Sequence, residues 1–352
     1  SLFTLLIVSV AAIVPAIAYV AVILSLDRYE HEPLRAVAYA FSWGAVGAVI
    51  FSVIAEAFFA GFATVAAGEE AAGALTLIVA APVIEEAFKG IVLLLLLRYY
   101  RHELDSVLDG LVYGAIIGIG FAMTENIGYF LQAYQDDGAS GLGELFFFRV
   151  VVNGFGHAMY TGVIGAAIGW SRSRYRKGNA RYVVPVLGYC CGVILHMLWN
   201  GGVVGIAALQ GDDASLWTVM LVEAPLFVLP PLVILYLVAR RGGQHELTVM
   251  QDQLREEVAR GIFTHEEYEE ITSAARRRSA MRHARKHRGW RGWQQQRAFY
   301  EAAGDLAFRK YHLQTDTQDA AADLATINLI RRSIPQLRAA MPASPGSELT
   351  TR

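Results

Sequence analysis

Seven apolar stretches, each about twenty residues or longer, restrict the fold of this chain more than any other feature of its sequence. They lie at 1–26, 36–66, 74–97, 109–133, 145–170, 183–208 and 217–239. A helix of about 20 apolar residues spans roughly 30 Å of hydrocarbon. Hydrophobic residues make up 55% of the chain and charged residues 18%, which is more apolar than an ordinary soluble domain. We therefore expect an all-α, polytopic membrane helix bundle with about seven spans over residues 1–239.

Basic residues are distributed unevenly among the predicted loops. Arg28 and Arg35 lie in the first loop, Arg98 and Arg101 in the third, and a basic cluster at 172–181 in the fifth. The loops between them lack Lys and Arg, at 67–73, 135–144 and 209–216. The positive-inside rule then predicts an outside N-terminus and a cytoplasmic C-terminus. The Ala, Gly and Arg content favours a GC-rich bacterium, so the predicted location is the bacterial cytoplasmic (inner) membrane.

Residues 240–352 differ in character and are predicted to form a cytoplasmic, basic helical tail. They contain 19 of the 30 Lys and Arg residues. Thr264 and Glu267 have the spacing of a capping box, which predicts a helix that starts there and continues to about residue 286. Further helices are expected around 292–313 and 317–340, and the last residues are expected to be disordered.

The most basic part of the tail, residues 276–293, also contains two tryptophans, Trp290 and Trp293. Basic clusters with interfacial aromatic residues bind anionic lipid, whereas a solvated basic helix face has the same composition. Both interpretations stay open for this stretch. We expect contact with the lipid bilayer and no nucleic-acid partner.

Three charged residues interrupt the apolar stretch "APVIEEAFKGIVLLLLL" at 81–97. Glu85, Glu86 and Lys89 each cost about 2.5 to 3.5 kcal/mol at the centre of a membrane helix, while each Leu or Ile returns only about 0.3 to 0.6 kcal/mol. Lys89 stands four residues after one carboxylate and three after the other, so it can pair with both. The simplest interpretation is a self-compensated ion pair that packs the bundle.

Further polar residues lie at similar depth in three other spans. The spans contain Glu125 with Asn126, His157 with Thr161 one turn later, and His196 with Asn200 one turn later. At 1.5 Å per residue, counting inward from the outer ends, these groups and Glu85 lie at roughly 12 to 18 Å. Two carboxylates, two imidazoles and an amide around one cavity suit hydrolysis. A carboxylate acts as general base on water, and an imidazole and an amide stabilise the oxyanion.

These polar residues fall into four ordered motifs, "EEAFK", "FAMTEN", "HAMYT" and "HMLWN", within residues 74–205. The set resembles the PrsW-type intramembrane proteases, which are similar to the CAAX prenyl endopeptidases and the bacteriocin-processing Abi proteins. The resemblance implies an endopeptidase that cuts a membrane protein substrate, in some bacteria a membrane-bound anti-sigma factor.

Roles for individual residues follow from this resemblance. Glu85 is expected to activate the water and Glu86 to support it or bind a metal. His157 would hold the water or a metal, and His196 and Asn200 would form the oxyanion side. Lys89, Glu125 and Asn126 complete the predicted catalytic set.

The resemblance leaves the metal question open. If zinc is the cofactor, the predicted ligands are Glu86, Glu125, His157 and His196, a reasonable donor set for that ion. The prenyl endopeptidases have a His where this chain has Glu125. A metal-free glutamate mechanism fits the same residues.

Two other functions use the same residue types. Intramembrane Glu and His residues also form proton relays in transporters, and a related helical core can serve as a catalytically silent scaffold. The "GASG" sequence at 138–141 lies in a predicted loop, so a serine mechanism is not favoured. Arg149, near the outer end of its span, is expected to extend to the membrane surface. The buried acids Glu56 and Glu223 receive no functional assignment.

Overall fold

The computed structural model describes residues 1–27, 29, 32–99, 104–174, 178–211, 216–315 and 320–341. Within these ranges the regular structure is helical throughout and contains no strand. The chain divides into two compact units. The first, which we call the membrane unit, contains Ser1–Asp27 and Glu32–Gly242. The second, the tail unit, contains Tyr29 and the residues from Gly243 onward.

Ten α-helices begin within the described part of the membrane unit. They are α1 (Leu2–Leu24), α2 (Leu34–Ser42), α3 (Val49–Ala67), α4 (Glu69–Leu75), α5 (Ala81–Tyr99), α6 (Val107–Phe146), α7 (Gly156–Arg174), α8 (Ala180–Gln210), α9 (Leu216–Glu223) and α10 (Leu229–Ala259). Short π-helical segments adjoin several of them, at Trp43–Ala48, Thr76–Ala80, Phe147–Val152 and Ala224–Val228.

Five helical stretches among the described residues are long and apolar enough to cross a membrane, which confirms a polytopic helical bundle. They are Leu2–Leu24, Leu34–Ala67, Val107–Arg174, Ala180–Gln210 and Leu221–Ala259. The difference from the seven predicted spans has two physical causes. At 68 residues, the stretch Val107–Arg174 is far longer than one crossing needs, and it is broken within the predicted loop at Gly138 (φ 64°), so it contains two of the predicted spans. The charged side chains of α5 lower its apolarity.

The surface of α3 shows why this unit belongs in lipid. Phe58, Phe62 and Val65 are 79%, 76% and 89% exposed, respectively. Large apolar patches of this kind mark membrane or protein interaction surfaces. Because α3 is also long enough to span hydrocarbon together with α2, lipid is the solvent that such a surface requires.

Polar side chains from other helices bond to backbone carbonyls of three π segments. A π turn breaks the regular hydrogen-bond ladder of a helix, and such turns are frequent at functional sites. The bonds join Thr124 Oγ1 to Ala45 O (2.7 Å), Asn200 Nδ2 to Leu77 O (2.9 Å) and Tyr19 OH to Val150 O (2.5 Å). These bonds fix the irregular turns against α6, α8 and α1.

Helices α6 and α7 approach each other closely through glycine. A methyl group at Gly118 would collide with the carbonyl oxygen of His157, and one at Gly114 would collide with that of Thr161. Such small residues let membrane helices pack backbone against backbone. The close approach brings His157 and Thr161 into the interior, where both are buried.

The tail unit contains three further helices, α11 (His265–Ile271), α12 (Ala274–Thr315) and α13 (Ala320–Ala340). The predicted capping box of Thr264 and Glu267 is confirmed at the start of α11. The predicted continuation of this helix to residue 286 is wrong, because α11 ends at Ile271 and α12 begins at Ala274. The Ser273 hydroxyl accepts from the amide of Arg276 in the first turn of α12 (3.4 Å). Helix α12 bends at Gly289 (φ 60°).

The core of the tail unit is apolar and includes Phe299, Leu306, Ile327 and Ile334. The predicted helices around 292–313 and 317–340 correspond to the second part of α12 and to α13. The predicted disorder at the C-terminal end falls on residues 342–352, which lie outside the described residues.

Candidate active site

The ammonium group of Lys89 lies at the centre of a buried cluster in the membrane unit. Its Nζ is 2.9 Å from Glu85 Oε2, 2.8 Å from Glu86 Oε1 and 3.0 Å from His157 Nδ1. The ring of Phe121 lies on another side, with its centroid 3.7 Å from Nζ. Both glutamates come from α5, one turn before Lys89, so the helical spacing itself produces the double ion pair.

His157 connects this ion pair to α6. A lysine ammonium has only donors, so His157 Nδ1 must accept the bond and the ring proton belongs on Nε2. His157 Nε2 lies 3.1 Å from Glu125 Oε2 and donates to it. Glu125 therefore fixes the orientation of the imidazole and leaves Nδ1 directed at the cluster.

Glu86 connects the cluster to α7 and α8. Its Oε1 accepts from Lys89 and from His196 Nδ1 (3.2 Å), and its Oε2 accepts from the Thr161 hydroxyl (2.8 Å). The ring of His196 is 5.0 Å from that of His157, nearly perpendicular to it. The imidazoles of α7 and α8 thus adjoin each other, next to the two carboxylates of α5.

The two carboxylates of α5 differ in how many bonds they make. Both oxygens of the fully buried Glu86 accept hydrogen bonds. Within the described residues, Glu85 accepts a hydrogen bond only at Oε2, from Lys89, so its Oε1 keeps its lone pairs. Glu85 therefore has one whole oxygen free to take a proton from water, whereas each oxygen of Glu86 already accepts at least one bond.

Arg149 points inward, contrary to the predicted extension to the membrane surface. Its Nη2 donates to Glu125 Oε2 in a short ion pair, and its Nε donates to Asn126 Oδ1 at 2.5 Å. The guanidinium also stacks 4.1 Å from the ring centroid of Tyr129. The carboxylate of Glu125, one-fifth exposed, offsets the cost of keeping this charge in the bundle.

Asn200 differs in position from the other predicted site residues. Its amide donates to Leu77 O in the π segment Thr76–Ala80, at 2.9 Å. The bond ties α8 to the turn that precedes α5. His196, one turn earlier on α8, lies in the cluster itself.

A group of four side chains has the geometry and chemistry to hold a metal ion. One ligand atom each from Glu85, Glu86, His157 and His196 lies within 4.8 Å of all the others. Carboxylate and imidazole donors are zinc ligands, so the donor set fits the ion. The predicted ligand set had Glu125 where this group has Glu85. Glu125 lies behind His157, bonded to its other nitrogen.

Sequence reasoning left three site residues out of the catalytic set. Thr161 bonds to Glu86, Arg149 bonds to Glu125, and the Tyr160 ring stacks on that of His196 at 4.6 Å. The four-residue spacing from His157 to Thr161 places both residues on one face of a helix, so Thr161 could have been predicted as a site residue. Tyr160 and Arg149 depend on packing between helices, which no local spacing reveals.

Comparison with known proteins agrees with this geometry. The family model described as "PrsW family intramembrane metalloprotease" matches residues 32–230. Protease PrsW of Geobacillus kaustophilus is 27% identical over 208 residues, covering 54% of this chain and 86% of the relative. Protease PrsW of Bacillus subtilis is 27% identical over 186 residues, covering 53% and 78%. No solved structure matches this chain. Because the family match extends over more than half of the chain, this multi-pass membrane protein belongs to the PrsW family of intramembrane metalloproteases.

Proposed function

We propose that Glu85 is the general base of this protease. The observation that carries the proposal is the convergence of Glu85, Glu86, His157 and His196 within 4.8 Å. Glu85 Oε1 takes the proton of a water molecule, whose oxygen attacks the carbonyl carbon of the scissile peptide bond. The same carboxyl then returns the proton to the leaving nitrogen, so that the bond breaks to an acid and an amine.

The remaining cluster residues position the reaction. Glu86 is held by Lys89, Thr161 and His196, and Glu125 holds the His157 ring. Catalytic zinc sites keep three protein ligands and one open position, and Glu86, His157 and His196 would hold such an ion. Bound zinc would polarise the carbonyl and lower the pKa of water. The Lys89 ammonium already contacts two of these ligands, so it would compete with the ion.

The substrate in this proposal is a membrane protein cut within or near its span. An intramembrane cluster reaches only peptide bonds that enter the lipid with it. The resemblance to the PrsW-type proteases makes a membrane-bound anti-sigma factor the first substrate to examine. The Ala, Gly and Arg content favours a bacterial cytoplasmic membrane as the location. The distribution of basic residues favours an outside N-terminus and a cytoplasmic C-terminus.

We also propose that the tail unit binds anionic lipid. Arg278, Arg282, Arg285 and Lys286 are exposed along α12, and no acidic residue occurs between 271 and 300. The rings of Trp290 and Trp293 stack at 4.6 Å, and Trp290 is 58% exposed. Exposed tryptophan beside unscreened positive charge suits a lipid headgroup surface.

The protease mechanism can be tested before the substrate is identified. Wild type, Glu85→Gln and Glu144→Gln would be expressed in a bacterial host, and mass spectrometry would map the N-termini of all membrane proteins. Glu144 is an exposed acid of the same unit and serves as the matched control. New N-termini near membrane spans should occur with wild type and Glu144→Gln and be absent with Glu85→Gln. Identical termini in all three, or none with wild type, would contradict the proposal.

A further inference from the structure

Three buried polar atoms around Tyr160, whose ring stacks on His196, have no hydrogen-bond partner within the part of the chain that the structure describes. They are the hydroxyl of Tyr160, the side-chain oxygen of Asn153 and one carboxylate oxygen of Glu223. Tyr160 and Glu223 are each only 1% exposed. Buried polar groups in native proteins are almost always paired, and in lipid the cost of leaving one unpaired is largest. Their grouping therefore indicates a place where another polar molecule binds.

The three residues come from different elements but meet near one ring. Tyr160 on α7 stacks on His196, with ring planes 16° apart. Asn153 precedes α7, and Glu223 ends α9. The Asn153 side chain lies within hydrogen-bonding range of the Tyr160 hydroxyl, without the geometry of a formed bond, and the Glu223 carboxyl is its charged neighbour. The unpaired atoms thus adjoin the catalytic cluster without taking part in it.

Gly202 on α8 makes room for the Glu223 carboxyl. A methyl group at Gly202 would overlap the carboxylate of Glu223. The same methyl group at Gly205, one turn away, would meet nothing within 4 Å. Glycine is thus required at the first position and not at the second.

The unpaired groups have the hydrogen-bonding pattern that a peptide requires. The Tyr160 hydroxyl can donate to a carbonyl, and the Asn153 and Glu223 oxygens can accept from amide N–H groups. A membrane helix must unwind before it is cut, and its freed backbone groups then find no water in the lipid. A protease that works there has to supply the partners itself.

We propose that Tyr160, Asn153 and Glu223 form a subsite that binds the main chain of an unwound substrate segment beside His196. Tyr160 donates to a substrate carbonyl, and the other two side chains accept from substrate amides. The inference rests on the proposed peptidase function and extends it to the recognition of backbone.

Tyr160→Phe tests the subsite, because it removes the hydroxyl and keeps the ring that stacks on His196. The probe is a synthetic single-span peptide in lipid nanodiscs that carries the strongest Glu85-dependent cut site from the N-terminal map. We expect kcat/KM to fall about tenfold, the size of one lost substrate hydrogen bond. Thermal stability should stay equal or rise, since the hydroxyl has no partner to lose. Ser52→Ala, which removes another buried unpartnered hydroxyl, should leave kcat/KM unchanged.

Glycine substitution supplies an independent test of the Glu223 side. Gly202→Ala displaces the carboxyl and should lower kcat/KM as much as Glu223→Ala does. Gly205→Ala, on the same helix, should leave it unchanged. Binding of the same peptide to the inactive Glu85→Gln background should weaken by a similar factor when Tyr160→Phe is added, which a purely structural role would not cause.

The outcomes separate this inference from the proposed function. Absence of Glu85-dependent cleavage in wild type would overturn the function. Normal cleavage and peptide binding by Tyr160→Phe would overturn the subsite and leave the function standing. Loss of thermal stability in Tyr160→Phe matching its loss of activity would assign the hydroxyl to folding and would also overturn the subsite.

Discussion

Each unit of this protein buries one lysine between two glutamates, yet only one of these clusters has the makings of an active site. In the membrane unit Lys89 bonds to Glu85 and Glu86 at 2.9 and 2.8 Å. In the tail unit Lys310 bonds to Glu256 and Glu257 at 2.9 and 2.7 Å. The four distances are nearly identical and both lysines are buried, although Glu256 is half exposed, so burial of a paired lysine does not distinguish function from structure.

The two clusters differ in the third hydrogen-bond acceptor of each lysine and in whether a carboxylate oxygen remains without a hydrogen bond. Lys310 gives its third bond to the carbonyl of Gln253, and the Arg331 guanidinium occupies both oxygens of Glu257. Lys89 gives its third bond to an imidazole, and Glu85 keeps an oxygen free. A closed ion pair stabilises a fold, whereas one with spare lone pairs and imidazoles can bind and activate a ligand. Buried charge is thus weak evidence for function until the remaining bonds are counted.

The largest expected effect comes from exchanging one carboxyl for an amide in each cluster. Glu85→Gln should lower kcat by about 100-fold to 10,000-fold, because a general base contributes that much, while Lys89 keeps Glu86 as its charged partner. Glu257→Gln should leave kcat within about threefold but lower the unfolding temperature of the tail unit, because Arg331 and Lys310 lose a charged partner. Peptide cleavage and thermal unfolding measure the two effects. Equal loss of activity in both variants would contradict the assignment of a catalytic role to the membrane cluster and a structural role to the tail cluster.

The second effect concerns competition between lysine and metal. Lys89→Met should tighten zinc binding by roughly tenfold or more, since removing a cation that contacts the donors removes repulsion of the ion. Lys310 lies outside the group of Glu and His side chains that could hold a metal among the described residues, so Lys310→Met should leave zinc affinity unchanged. Calorimetric titration with zinc measures both. If Lys89→Met folds poorly, a rise in its unfolding temperature with zinc that exceeds the rise in wild type gives the same information. Unchanged or weaker zinc binding by Lys89→Met would show that the ammonium does not compete.

The third effect tests whether Arg149 positions the site through Glu125. Arg149→Met should lower kcat/KM by about 10-fold to 100-fold, the usual range for groups that orient metal or catalytic ligands. Arg149→Lys should recover part of the loss, because it restores the charge without the second bond to Asn126. Arg174→Met, at the exposed end of α7, is the control. Full activity in Arg149→Met would return the residue to a purely structural role.

The smallest effect is a pH dependence in the tail unit. Burial raises the pKa of Glu270 above its ordinary value, although the hydrogen bond from Tyr300 opposes the shift. The folded state therefore binds the proton more tightly than the unfolded state, and stability should fall as pH rises from about 4.3, the unfolded value, through the folded pKa. Glu270→Gln should remove this part of the decline. Glu269→Gln, at a neighbour whose side chain is 43% exposed, should keep it. Thermal unfolding between pH 4 and 8 measures the slope, which an unchanged Glu270→Gln profile would contradict.

Local patterns in the sequence were enough to predict the elements and the chemistry of the cluster. Apolar runs predicted the helices, and the spacing of Glu85, Glu86 and Lys89 predicted their mutual bonds. The capping box at Thr264 marked a helix start because it acts within one turn. Each of these features depends on residues no more than four positions apart or on the length of one helix.

The features that escaped prediction depend on contacts between helices. The π turns change the direction in which side chains leave the helix, so the helical count did not show that Arg149 faces Glu125. One N–H of the Asn200 amide donates to Leu77 O in a π segment, a contact that its spacing from His196 did not predict. The loop predicted at 135–144 is reduced to a break at Gly138, where φ is 64° and two helical segments meet.

The most direct test of the account is a double-mutant cycle on peptide cleavage by Glu85→Gln and His157→Ala. Residues that act as one catalytic unit are strongly non-additive. We predict that the double variant is no slower than the slower single variant, because either change already disables the shared site. Losses that multiply, so that the double variant is slower by the product of the two single effects, would show that Glu85 and His157 act independently and would contradict a common catalytic centre.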